Sequence, residues 1–141
     1  MPTIPGFRPY EADRIRLTRR KMVASEVKSI GDALVHTGSA DTLSLAATNG
    51  VIVAVYMDAD LASTATTPYK SVMLTLPGIL WEAQVETGTA LSTMVDDEVD
   101  LASADGLNVD ASTNDDFVIM KVLGSSRVVG IFNKTVYNAG T

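Results

Sequence analysis

The sequence predicts a mainly β protein, a single compact antiparallel β-sandwich or β-barrel-like domain with an extended basic N-terminal arm. Three observations carry that prediction. Apolar residues recur in short runs, many alternating with polar ones and separated by turn residues, which is the period of strands rather than of helices. The 141 residues are 46% hydrophobic with few aromatics, enough for one core built mainly from Val, Leu, Ile, Ala and Met. Charge is divided unevenly: residues 1–28 hold seven of the eleven bases and three acids, whereas 29–141 hold four bases and fourteen acids. The organisation that follows is an arm over 1–28 and a β-rich body over 29–141.

Prolines at positions 2, 5 and 9 keep the first segment from beginning as a helix or joining a central strand. Ile4, Phe7 and Tyr10 are interleaved or continuous with Arg8, Arg14, Arg16, Arg19, Arg20 and Lys21, and these nine are the candidate partner-contacting residues. A stiff, basic segment with a few apolar groups suits docking onto an acidic protein surface, where burial of those groups offsets the cost of ordering them. Removing residues 1–21 is expected to leave a folded body that binds its partner weakly. Residues 11–29 could be read as a helix, but their apolar positions share no single face.

In the body, a strand is expected over 32–37 after Gly31, and another over 42–47, where Leu43 and Leu45 alternate with polar neighbours. Asn49-Gly50 predicts a tight turn into the next strand. Residues 51–56 form a continuous β-branched apolar run, as a strand covered on both faces would. Residues 58–68 are small and polar, the composition of an exposed loop. Strands are then expected over 71–76 and 79–86; in the second, Ile79, Trp81, Ala83 and Val85 occupy one face, so Trp81 should point into the core. A turn is expected over 91–98. Asp105-Gly106 predicts a hairpin between strands at 99–102 and 107–109, and a three-residue link joins strands at 117–123 and 127–133.

The chain has no cysteine and one histidine, so disulfides, thiolate metal sites and the usual general bases are nearly excluded. His36 lies in a predicted strand and reads as structural or surface. Asp96, Asp97, Glu98 and Asp100 could gather oxygen ligands, but with Gly106 at the glycine position an EF-hand loop would begin at Leu101 and end at Ser112, and the motif fails. A solvated loop, or an irregular calcium site, remains. Asp115 and Asp116 read as capping or preceding a strand. No phosphate-binding loop, dinucleotide fingerprint or RNA-binding signature is present. The triplet beginning at Asn133 matches a glycosylation acceptor, read as chance in a chain without a secretory signal. A net charge of −6 disfavours nucleic acid as the partner, no apolar run is long enough to span a bilayer, and no cofactor is expected.

From Ile79 onward the sequence resembles the β-rich capsid decoration (cement) proteins of tailed bacteriophages. The resemblance rests on LWEAQVETGTA at 80–90, the acidic turn leading to VDLAS at 99–103, ADGLNVDAST at 104–113, DFVIMKV at 116–122 and RVVGIFN at 127–133. It implies a non-enzymatic virion structural protein, made in the host bacterial cytoplasm and bound to the outer capsid surface. Its partner would be the major capsid protein, whose subunits it would bridge, and it would act as a homo-oligomer, commonly a trimer, with terminal arms reaching over neighbouring subunits. Other readings of the residues are a head-to-tail connector or tail-tube component, a host- or carbohydrate-binding module, and an enzyme using Asp96, Asp97, Glu98 or Asp116.

Overall fold

The computed structural model describes residues 6–12, 14–23, 26–37, 42–48, 50–58 and 69–137. Among them are eleven strands: β1 (Arg8–Ala12), β2 (Leu17–Lys21), β3 (Ala33–His36), β4 (Leu43–Leu45), β5 (Ala54–Tyr56), β6 (Tyr69–Leu74), β7 (Ile79–Thr87), β8 (Glu98–Ser103), β9 (Gly106–Asn108), β10 (Phe117–Gly124) and β11 (Arg127–Phe132). A single 3-10 turn spans Ser92–Met94, inside the expected turn. Ile4, Asn49 and residues 59–68 of the polar loop lie outside the described residues.

The predicted alternation in β7 produces its expected face: Ile79, Trp81, Ala83 and Val85 all enter the main core. β7, β11, β10, β8 and β9 pair in that order, and β9 returns to pair in parallel with β7, closing a five-stranded barrel. Closure gives β9 a second partner and so covers a side that would otherwise offer unpaired backbone groups. Val99 and Leu101 from β8, Leu107 from β9, Phe117 and Ile119 from β10, and Val128 and Phe132 from β11 fill the interior beside Trp81. Gly130 lies where β11 and β10 approach closely. A Cβ there would lie 1.9 Å from the Val118 carbonyl oxygen and 2.6 Å from the Phe117 ring, so no larger residue fits.

The other strands form a second antiparallel sheet in the order β2-β6-β5-β3-β4. Its ends approach through a parallel bridge between Met22 and Leu43, where the Val23 N–H donates to the Leu43 carbonyl at 2.9 Å. Ala33, Val55 and Met73 face the main core, whereas Leu34, Ala54, Tyr56 and Val72 form a second cluster with Met22, Leu43 and Val53. β5 is thus covered on both faces, which accounts for the unbroken apolar run that contains it. β4 and β5 do not form a hairpin. Each pairs with β3, Leu34 standing opposite both Leu45 and Ala54.

The described residues of the segment expected to be an extended arm include two strands that pair with strands of the body. β1 pairs with β7 and β2 with β6, each at the end of its sheet, so one N-terminal segment links the barrel to the second sheet. Edge positions tolerate Pro9 and the dense charge of β2, which a central strand would not. Phe7 is fully buried, its ring 4.7 Å from that of Phe132 and 5.8 Å from that of Phe117. Its expected role as a partner contact is therefore corrected to that of a core residue, because an apolar ring placed among aromatics gains more by staying inside. Lys28, at the end of the same segment, is also buried and pairs with Glu26 at 2.8 Å. A chain lacking residues 1–21 would lose Phe7 and two strands, so the expectation that it leaves an intact body gives way.

Candidate partner-binding surface

The remaining candidate residues divide between the two sheets. Arg8 and Tyr10 belong to β1 on the barrel side; Arg19, Arg20 and Lys21 belong to β2 on the second sheet, with Arg14 and Arg16 exposed just before it. They do not form one continuous basic stripe.

On the barrel, pairing register assembles a face that combines residues far apart in sequence. Arg8 stands opposite Glu82, Glu82 opposite Val129, and Val129 opposite Lys121, a row across β1, β7, β11 and β10. Directly paired residues point to the same side of a sheet, so the row lies on the outer face, away from Trp81. Glu82 is nearly covered and accepts from Arg8 at 2.9 Å and from Arg127. Lys121 donates to the Tyr10 hydroxyl at 3.2 Å, with its ammonium 5.5 Å from the ring centroid. Two guanidinium groups thus hold one carboxylate, with the Lys121–Tyr10 pair on the same side of the sheet. The face keeps an excess of positive charge in a chain whose net charge is −6. It presents two guanidinium groups, both engaged by Glu82, beside an ammonium that meets the Tyr10 ring and hydroxyl.

Burial alone would raise the Glu82 carboxyl, but hydrogen bonds and charge from Arg8 and Arg127 outweigh it and hold the group below its ordinary value of 4.5. A carboxyl held down in the folded state adds stability above its unfolded value, and that stability is lost as pH falls through the folded one. Thermal unfolding followed from neutral pH to below this range should therefore show a smaller acid-induced loss in Glu82→Gln than in the parent chain. Parallel curves for the two proteins would mean that the arginines contribute no pH-dependent stability.

The acidic candidates lie elsewhere. Asp96, Asp97, Glu98, Asp110 and Asp115 line an open cleft of about 570 Å³. Asp100 is buried and accepts the backbone N–H groups of Asn114 and Asp115 at 2.8 and 2.9 Å. Asp116, just before β10, accepts from the Leu101 N–H at 2.9 Å and the Thr48 hydroxyl at 3.1 Å. Because Thr48 follows β4, this carboxylate joins the barrel to the second sheet. These bonds give Asp100 and Asp116 structural positions. Among the described residues, no three His, Asp or Glu side chains come together in a way that could hold a metal ion. His36 is exposed at the end of β3. Burial, opposed by the Ser29 N–H and Lys28 and assisted by Asp105 and Glu26, pushes the Asp32 carboxyl up. Asp32 does not line the acidic cleft.

Sequence reasoning missed Glu82, Lys121 and Arg127 as members of the basic face. Alternation placed Glu82 opposite Trp81 and outside the core, which was a usable signal. Nothing local indicated that three other strands would bring cations to it. No protein-family model, curated protein or solved structure matches this chain.

Proposed function

We propose that this chain is a virion structural protein that binds the outer surface of a phage capsid and stabilises it by bridging major capsid subunits. The family reading comes from the sequence resemblance beginning at Ile79. The structural observation that supports it is the outer barrel face, where Arg8, Arg127 and Lys121 with Tyr10 form a basic surface in a chain whose net charge is −6. That face suits an acidic protein surface, and its mounting on paired strands keeps the cations in place before contact, reducing the ordering cost of binding. Many copies on one shell would also gain avidity from repeated weak contacts. An added layer resists outward pressure because separating two capsid subunits must then break its contacts as well.

The test is quantitative mass spectrometry of purified virions, followed by rebinding of the purified chain to particles stripped of it. Copy numbers comparable to those of the major capsid protein, with rebinding lost in a combined Arg8→Glu and Lys121→Glu variant, are expected. A small number of copies, as one ring would contain, would assign the chain to the connector or tail instead. Absence from particles would overturn the virion reading.

A further inference from the structure

β2 borders the second sheet, and the hydrogen-bond phase of its pairing with β6 shows which of its backbone groups face the other way. Leu17 stands opposite Met73 and Arg19 opposite Ser71 in an antiparallel register. One position earlier in the same register, the Leu74 N–H donates to the Arg16 carbonyl at 3.0 Å. Bonded and non-bonded pairs alternate along an antiparallel ladder, so Thr18 and Arg20 continue the bonded series of Arg16, while the N–H and C=O groups of Leu17 and Arg19 point away from β6. The series of Leu17 and Arg19 leads on to Val23, whose N–H donates to the Leu43 carbonyl of β4 at 2.9 Å, on the side away from β6. Among the described residues, no strand pairing or bridge reaches Leu17 or Arg19 from that side.

The same edge carries uncompensated charge. Residues 14–21 include five bases and no acid. Arg14, Arg16 and Arg19 are exposed, and among the described residues no carboxylate pairs with them or with Arg20. This separates the β2 edge from the barrel face, where Glu82 already holds both guanidinium groups. Because successive side chains point to opposite faces of a strand, Arg19 lies on one side of the sheet and Arg16 and Arg20 on the other. A chain lying alongside β2 therefore meets positive charge on both of its faces.

We propose that this edge receives an extended acidic segment of a partner protein, which adds to the second sheet as a further strand beside β2. A strand edge alternates donors and acceptors, and another extended polypeptide returns both. A phosphodiester backbone offers acceptors to the N–H groups but leaves the carbonyls unmatched, so the edge favours a peptide over a nucleic acid. The arginines without carboxylate partners select a segment rich in Asp and Glu. They also reject a second copy of β2, since two such strands would set arginine beside arginine; charge that ordinarily keeps edges from pairing here chooses what pairs. Leu17, 62% exposed, would be covered by an apolar side chain directly opposite it on the added strand. The edge belongs to the other sheet from the basic barrel face, and its pairing with such a segment goes beyond the capsid reading because it requires no capsid.

The experiment titrates the purified full chain with a capped heptapeptide, Glu-Thr-Val-Asp-Val-Thr-Glu, which reads the same in both directions so that either strand orientation is sampled. Amide exchange followed by NMR locates the contact. In the free chain, exchange should be faster at Leu17 and Arg19 than at Thr18 and Arg20; with peptide bound, the first two should slow by about tenfold or more while the pair bonded to β6 changes little. Binding should weaken as salt rises from about 50 mM to about 500 mM. Arg16→Glu with Arg19→Glu, verified as folded by circular dichroism, should lower the affinity by about tenfold or more. The same peptide N-methylated throughout keeps its charge but loses its donors, and should bind at least about tenfold more weakly to the parent chain. No saturable binding up to about 1 mM peptide would overturn the proposal. So would equal binding of the methylated peptide, or tighter binding of oligothymidylate, either of which would make β2 a general polyanion surface. Loss of peptide binding in the Arg8→Glu with Lys121→Glu variant would place the contact on the barrel face and overturn it as well. None of these outcomes depends on capsid binding, so failure here and failure of the capsid reading are distinguishable.

Discussion

Phe7→Ala is expected to lower the unfolding free energy by about 3–5 kcal/mol, the cost of emptying a fully buried aromatic site that collapses only partly. Denaturant unfolding of the variant and the parent chain measures it directly. The size follows from the position of the ring, which is fully buried and packed on Phe117 and Phe132 where the barrel meets the second sheet. The adjoining backbone allows little relaxation. The Gly6 N–H donates to the Asp105 carbonyl at 3.0 Å, and the Phe7 N–H donates to the Gly31 carbonyl at 2.7 Å. Gly6 has φ +87°, and a Cβ there would lie 2.7 Å from the Gly31 backbone, so the entry into β1 is fixed by close approach. A loss this large is a substantial fraction of the roughly 5–15 kcal/mol that stabilises a typical domain. A loss below about 1 kcal/mol would place the ring outside the core and restore the separable-arm expectation.

Trp81→Ala should cost a similar amount, about 3–5 kcal/mol. Trp81 is 2% exposed, opposite Pro9 on one side and Gly130 on the other, with its ring 5.6 Å from that of Phe132. Gly130 brings no side chain to fill the space that the indole leaves. Phe132 touches both Phe7 and Trp81, so the two substitutions should not be additive, and the double variant should differ from the sum of the single losses by more than about 0.5 kcal/mol. Additivity within that margin would mean that the two rings occupy independent sites.

Much of the strand content was legible because side-chain alternation is a local property. The expected runs at 71–76, 79–86, 117–123 and 127–133 contain or overlap β6, β7, β10 and β11, and the inward face of β7 followed from Trp81 and its neighbours at every second position. β1 and β2 were missed for a specific reason. Pro9 and the charged residues from Arg14 to Lys21 resemble a solvated segment, and an edge strand tolerates both features. The Asn49-Gly50 pair suggested a hairpin, yet β3 lies between β4 and β5. A turn signal reports that the chain reverses, and says nothing of which strand will occupy the space beside it.

The basic barrel face shows the same division. Residue types alone marked Arg8 and Tyr10, but Glu82, Lys121 and Arg127 joined them only through register across four strands. The exposure of Leu123 follows two bulges in β10, since plain alternation from the inward Phe117 and Ile119 would have put it on the core side. The sequence by itself determined a β-rich chain, a core-facing Trp81 and a basic beginning on an acidic body, since composition and period are carried by neighbouring residues. Only the tertiary structure decided that the beginning is tied into both sheets, that Phe7 belongs to the core, and which distant cations share a surface. Those outcomes depend on long-range strand pairing, whose register is set by the packing of the whole chain rather than by any segment of it.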